Sequence, residues 1–188
     1  MNNDISNFMP QRGNYRDLKV YKKSECIYDI TYHFAHKYLE KGDRTIDQMV
    51  QAARSCKQNI AEGSAASTTS KETELKLTNV ARASLQELLL DYEDYLRVRG
   101  LEQWSINGDK ATAARAACSR HDDSAYYRNA IELRNDVAVA NIAITLIHQT
   151  DVLLRKLIER LKNDFVKGGG LREEMYRARV DWLKRNRK

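Results

Sequence analysis

Apolar side chains recur every three to four positions in four long stretches of the chain, the spacing that places them on one face of an α-helix. The first predicted helix runs from Tyr15 to about Lys41. Leu18, Tyr21, Tyr28, Tyr32, Ala35 and Leu39 form its inward stripe, widened by Val20, Ile27, Phe34 and Tyr38. Gly42 and Asp43 interrupt it. The second starts at Thr45, a predicted N-cap with Gln48 completing a capping box, and carries Ile46, Met49, Ala53, Cys56 and Ile60 inward. Gly63 suits a left-handed C-terminal position, and residues 64–70 read as a loop whose Ser70 caps the next helix.

The third helix turns Leu77, Ala81, Ser84, Leu88, Tyr92 and Tyr95 inward, flanked by Leu85, Leu89 and Leu96, and stops at Gly100. Residues 101–134 lack a clear period. Trp104 and Ile106 are expected to tuck onto the bundle before a turn at Asn107-Gly108, and Ala111–Ala117 to form a short helix. The fourth long helix, Val137 to Val166, is the most apolar, with Ile142, Leu146, Leu153 and Leu157 beside Leu154, Ile158, Leu161 and Phe165. So wide an apolar face needs more than one neighbour, as in a bundle core. Gly168-Gly169-Gly170 ends it. A fifth, amphipathic segment follows, with Leu171, Met175, Ala178 and Trp182 on one stripe and spacing that predicts docking on the bundle.

These patterns predict an all-α fold: an antiparallel up-down four-helix bundle with an additional C-terminal amphipathic basic helix. Residues 1–14 form a disordered lead-in, 15–167 the bundle with an irregular connection at 101–134, and 168–188 a basic suffix. One proline and eight glycines in 188 residues agree with few, long helices.

Charge changes the picture at one end. Residues 155–188 hold 12 of the 32 basic and 5 of the 26 acidic side chains, so the body is close to neutral and the tail is basic. Such asymmetry points to a polyanionic partner without implying base preference. Arg172, Arg177, Arg179, Lys184, Arg185 and Arg187 are the candidate phosphate contacts, and Tyr176 and Trp182 the candidate stacking residues. An acidic protein, a membrane surface or plain solvation are the other readings of such a face.

Little else carries chemistry. His33 and His36, and Cys118 with His121, offer two ligand pairs where zinc needs three or four converging groups. Cys26, Cys56 and Cys118 have no regular spacing, which argues against a disulfide framework, and Cys56 falls on a core stripe as a small apolar filler. No phosphate loop or paired inward carboxylates occur, so neither catalysis nor a cofactor is expected. His148-Gln149, mid-helix among apolar residues, reads first as a hydrogen-bonded structural pair, then as a subunit contact or a site. Asn59 and Glu62 are expected to brace the end of the second helix. No apolar run approaching a membrane span and no signal peptide is seen, which leaves the cytoplasm as the expected compartment and no membrane partner.

Several segments together carry a resemblance. Tyr15-Arg-Asp-Leu-Lys-Val-Tyr21, the run Ser55-Cys-Lys-Gln-Asn-Ile-Ala-Glu-Gly-Ser64, Ser70-Lys-Glu72 and Ala83-Ser-Leu-Gln-Glu87 resemble the four-helix-bundle proteins encoded in intervening sequences of bacterial large-subunit ribosomal RNA. Residues 140–150 and 168–177 are similar to a longer subgroup of that family with a C-terminal helical suffix. The resemblance implies antiparallel four-helix subunits assembled into rings, typically homopentamers. It also implies kinship with the accessory protein of diversity-generating retroelements, which binds RNA and a reverse transcriptase. Two functions follow as expectations: an oligomeric bundle that binds nucleic acid, RNA in particular, or a protein-interaction scaffold.

Overall fold

A computed structural model describes residues 14–186, apart from the side chains of Leu171, Arg172 and Glu174. The described residues are all-helical where regular, with no strand. A 3₁₀ turn at Tyr15–Asp17 is followed by α1 (Lys19–Tyr38), α2 (Thr45–Ala66), α3 (Lys71–Val98), α4 (Asp109–Arg120), α5 (Ser124–Glu132), α6 (Asp136–Gly168) and α7 (Leu171–Asn186). The contacts α1 to α2, α2 to α3, α3 to α6 and α6 back to α1 close a four-helix bundle. Cross-links show α3 and α6 running in opposite directions: Arg82 meets Asp151, while Tyr95, farther along α3, meets Asp136 at the start of α6. Ser55 with Ser84, and Gly63 beside Leu77, give the same sense for α2 and α3.

The core follows the expected residues with one shift. Leu88, Leu146 and Leu154 are fully buried, and the Phe34 ring meets Tyr92 and Tyr95 with centroids 4.9 and 4.8 Å apart. Aromatic pairs at such separations favour tilted or edge-on geometry, which these adopt. Ala35 on α1 and Leu39 at its C-cap are buried as expected, but the buried line also runs through Val20, Ile27 and Phe34, expected only to widen the stripe, and Ile30, which was not anticipated. Tyr21 and Tyr28 are half-buried, and Tyr32 is exposed and stacked on His36 with centroids 4.2 Å apart. Tyrosine carries an apolar ring and a polar tip, so it sits comfortably at the margin that its spacing had marked as the centre.

Other boundaries also move. The first helix ends at Tyr38 and begins after an extended Leu18. Thr45 is the first residue of α2 rather than its cap; the Asp43 carboxylate accepts the Thr45 N–H at 2.8 Å. Gly63 is not a terminus but a buried interior position of α2, which runs on to Ala66. A Cβ there would lie 3.4 Å from both the Glu74 carbonyl oxygen and Leu77 Cβ, so the glycine permits close approach to α3. Ser70 does cap α3, accepting from the Thr73 N–H. At the end of α6, Gly169 takes φ 73°, a left-handed conformation open to glycine without strain.

Residues 101–134 hold two helices, α4 over the expected alanine run and α5, which the pattern missed. Trp104 packs partly on the core, whereas Ile106 is 77% exposed. Polar side chains fix this insert. Buried Asn141 of α6 accepts the Trp104 N–H at 2.7 Å and donates to the Glu102 carbonyl at 2.9 Å. Gln149 donates to the Arg115 carbonyl at 2.9 Å and lies 3.2 Å from the Ser119 hydroxyl, while its neighbour His148 is exposed. Lys23, only 1% exposed, donates to the carbonyls of Cys118 and His121 and pairs with Asp122 at 2.6 Å, pinning the α4–α5 turn to α1. Each satisfies polar groups whose burial unpaired would be costly.

One expectation about α6 is corrected. An 18-residue window within it reaches a mean hydropathy of 1.5 with at most two charged residues, long and apolar enough to cross a membrane by composition. Scattered Asn, Thr, His and Gln side chains do not lower the average enough to fail that measure. Of that window, 56% is buried inside the bundle, as befits its most enclosed helix.

Candidate nucleic-acid interface

Beyond Asp151 the character of α6 changes. Ile158 and Leu161 continue its buried side, while Lys156, Arg160, Lys162 and Lys167 take exposed positions. The start of α1 lies against this stretch: Leu18, Lys19 and Val20 share a shallow groove with Leu153, Lys156, Leu157 and Arg160. Two segments far apart in the chain thus bring Lys19, Lys156 and Arg160 together. Lys156, Lys162 and Lys167 enter no ion pair among the described residues. Arg155 differs, being tied to Asp151 at 3.0 Å; the same carboxylate accepts from Arg82 at 2.7 Å and Gln86 at 3.1 Å.

The six sequence-predicted contacts fare unequally. Arg177 donates to the Gly168 carbonyl at 2.8 Å, placing a cation on the C-terminus of α6, where the helix dipole favours it. It therefore joins α6 to α7 as well as adding charge. Arg179 lies over the Trp182 ring, 5.2 Å from its centroid. Lys184 and Arg185 are exposed. The side chain of Arg172 and the whole of Arg187 lie outside the described residues. The cations do not share one face of α7: Arg177 and Lys184, seven residues apart, lie on one side, and Arg179 on another. Nor does the expected docking of the aromatics occur, since Tyr176 and Trp182 are exposed on the subunit. Lys19, Lys156 and Arg160 were missed as a group, because only the pairing of α1 with α6 unites them.

The alternative chemistries are differently placed. His33 is partly buried, which lowers its pKa, and His36 is on the surface. Neither approaches Cys118 or His121: the Cys118 thiol is buried, and His121 stacks on Tyr126 at 3.6 Å. Among the described residues no three His, Cys, Asp or Glu side chains gather as a metal site would require. Burial pushes the Cys26 and Cys56 thiols up to about 12, which disfavours the thiolate a nucleophile needs. Asn59 donates back to the Ser55 carbonyl at 2.9 Å, a local bond inside α2 rather than the brace at its end that was expected, because α2 runs on to Ala66. Glu62 is exposed.

Residues 16–101 match the family model of the 23S rRNA-intervening sequence protein. Over that segment, a little under half of its length, the chain is similar to the intervening-sequence family. The match covers α1, α2 and α3, three of the four bundle helices, and includes the Asn59-Ile-Ala-Glu-Gly63 run whose Gly63 permits close approach to α3. The insert, α6 and α7 lie beyond it. No curated protein and no solved structure matches the chain.

Proposed function

We propose that this chain is a non-catalytic, cytoplasmic homo-oligomer of the intervening-sequence family that binds RNA through the cations at the α6 end and on α7. The observation that carries the reading is the set of exposed cations there, namely Lys156, Arg160, Lys162, Lys167, Arg179 and Lys184, with exposed Tyr176 and Trp182 among them. Lysine and arginine beside phosphates release condensed counterions and favour association whatever the sequence. Exposed aromatic rings add stacking on unpaired bases, which RNA loops supply. A ring would strengthen both effects, since a pentamer multiplies the subunit's net charge of +6 fivefold.

The test is fluorescence anisotropy with a labelled single-stranded RNA across a salt series, with duplex DNA as competitor. Affinity is expected to fall steeply as salt rises, by about 0.7 log units per log unit of salt for each phosphate engaged. A Lys156→Glu/Arg160→Glu/Lys184→Ala variant is expected to bind at least about tenfold more weakly, with a shallower slope. Affinity that stays flat with salt, or is unchanged in the variant, overturns the reading.

The exposed apolar side chains of α7, Met175, Tyr176, Trp182 and Leu183, favour a second reading. In it the protein is an accessory scaffold whose suffix seats a protein partner, such as a reverse transcriptase. A co-purifying protein that survives nuclease treatment and is lost with Met175→Ala/Trp182→Ala supports that reading over the first.

A further inference from the structure

The insert carries a feature unrelated to the basic end. α4 packs on α6 and α5 packs on α1, and between the two short helices lies a cleft of about 740 Å³. Its walls are mostly small: Ala114 and Ala117 of α4 face Tyr126 and Ala130 of α5, over a floor that includes Val137 and Ile142 of α6. Alanines cannot reach across the gap, so the walls lack the contacts that filled interiors make. The volume lies within the ~300–1,000 Å³ typical of small-molecule sites.

Three aromatic residues, Trp104, Tyr126 and Tyr127, line the cleft, and the Tyr127 hydroxyl donates to the His121 carbonyl at 3.1 Å. Tyr126 is backed by the stacked His121 ring, and Trp104 is fixed through its backbone N–H to Asn141. Charge at the rim is nearly cancelled on one side, where Lys110 and Glu102 pair at 3.2 Å. Arg134 is the exception. Its Nε donates to the Ala130 carbonyl at 2.6 Å, which fixes the guanidinium, and its terminal nitrogens have no partner among the described residues. A held guanidinium fork is suited to a carboxylate or sulfonate.

We infer that the α4–α5 cleft binds a small planar aromatic acid, its ring system between the alanine walls and the Trp104 and Tyr126 rings, its anionic group on Arg134. Alanine walls offer no donors or acceptors for the edges of a sugar or nucleobase, which leaves an apolar body with one anion as the complementary chemistry. The cleft lies over the first turns of α6 and the exposed cations on its last turns, so this site stands or falls independently of RNA binding.

The probe is anilinonaphthalene sulfonate, with neutral phenylnaphthylamine as its uncharged counterpart. Both are titrated into the full chain carrying Trp182→Phe, which leaves Trp104 the sole tryptophan. One saturable site per chain, with energy transfer from Trp104 to the bound dye, is expected. Ala117→Phe fills the cleft and is expected to lower dye affinity at least about tenfold, with circular dichroism and melting confirming the fold. Arg134→Gln is expected to weaken the sulfonate about tenfold and leave the neutral probe within about twofold. The inference is overturned if folded Ala117→Phe binds as before, or if Arg134→Gln affects both probes alike or neither. Should Ala117→Phe fail to fold, the Arg134→Gln comparison decides alone.

Discussion

Two consecutive helices, α6 and α7, are separated by Gly169 and Gly170, and both carry apolar side chains at three-to-four spacing. In α6 the pattern is satisfied within the chain: Val139, Leu146 and Leu154 are wholly buried among α1 and α3. In α7 the same pattern leaves Met175 and Trp182 about half exposed. Periodicity therefore marks which face of a helix favours burial but not what buries it. The α6 stripe is a fold signal. The α7 stripe, ringed by arginine, is left uncovered by the described residues.

The contrast is broken most severely by emptying the α6 side. Leu146→Ala removes a fully buried side chain at the centre of four helices and is expected to cost about 3–5 kcal/mol, the range for cavities that relax poorly. Urea unfolding followed by circular dichroism measures it. A cost below about 1 kcal/mol would mean that this core is no better filled than the surface of α7, and the contrast would vanish.

Much of the bundle was legible because its apolar residues recur over twenty or more positions, long enough for a face to emerge. Where legibility failed, the causes are specific. Tyr32 counts as apolar by composition yet lies at the surface on its polar tip. The alanine run of α4 is legible as a helix, but α5 spans only nine residues and buries only Tyr127 and Ile131, too few turns for a repeat to show. Gln149 is legible as a hydrogen-bonded structural residue, but Lys23, Asn141 and Asp151 carry no such signal, because their long-range partners lie 37 to 99 residues away. The candidate site divides the same way. Cations adjacent on α7 were visible, whereas Lys19 with Lys156 and Arg160 required the knowledge that α1 lies along α6.

Lys23 sharpens the comparison from the insert's side, since a polar clamp there replaces the apolar packing that α6 uses. Lys23→Met retains the length and burial of the side chain but leaves the Cys118 and His121 carbonyls without their donor. A loss of about 2–3 kcal/mol is expected, from two orphaned acceptors. Hydrogen exchange should show the loss concentrated in residues 109–132. Uniform loss across all helices would mean that the insert and the bundle unfold as one unit.

A smaller effect comes from the acidic side of α3. Half-burial, then the neighbouring Glu87 and Asp94, raise the Asp91 carboxyl from 3.8 to about 6. A carboxyl whose pKa is raised by folding contributes its stability in the protonated form. The contribution is therefore full below about pH 4 and lost as pH climbs through about 6. Asp91→Asn should melt at a higher temperature than the parent at pH 7–8 and at nearly the same temperature at pH 4. A variant less stable than the parent at pH 8 would show that the carboxylate is stabilised there by groups other than those that raise it.

The smallest expected effect is the most informative about α7. Trp182→Ala deletes the largest apolar side chain of the suffix, yet Trp182 is 55% exposed and touches Arg179 of its own helix. In a dilute, unassembled subunit the change should alter stability by no more than about 0.5 kcal/mol, as for surface positions elsewhere. RNA affinity should drop instead, by the ~1–3 kcal/mol that one stacked base contributes. If stability falls by more, and the deficit grows with protein concentration, the ring is buried against a second copy. The α7 stripe would then be a core pattern after all, completed by another chain.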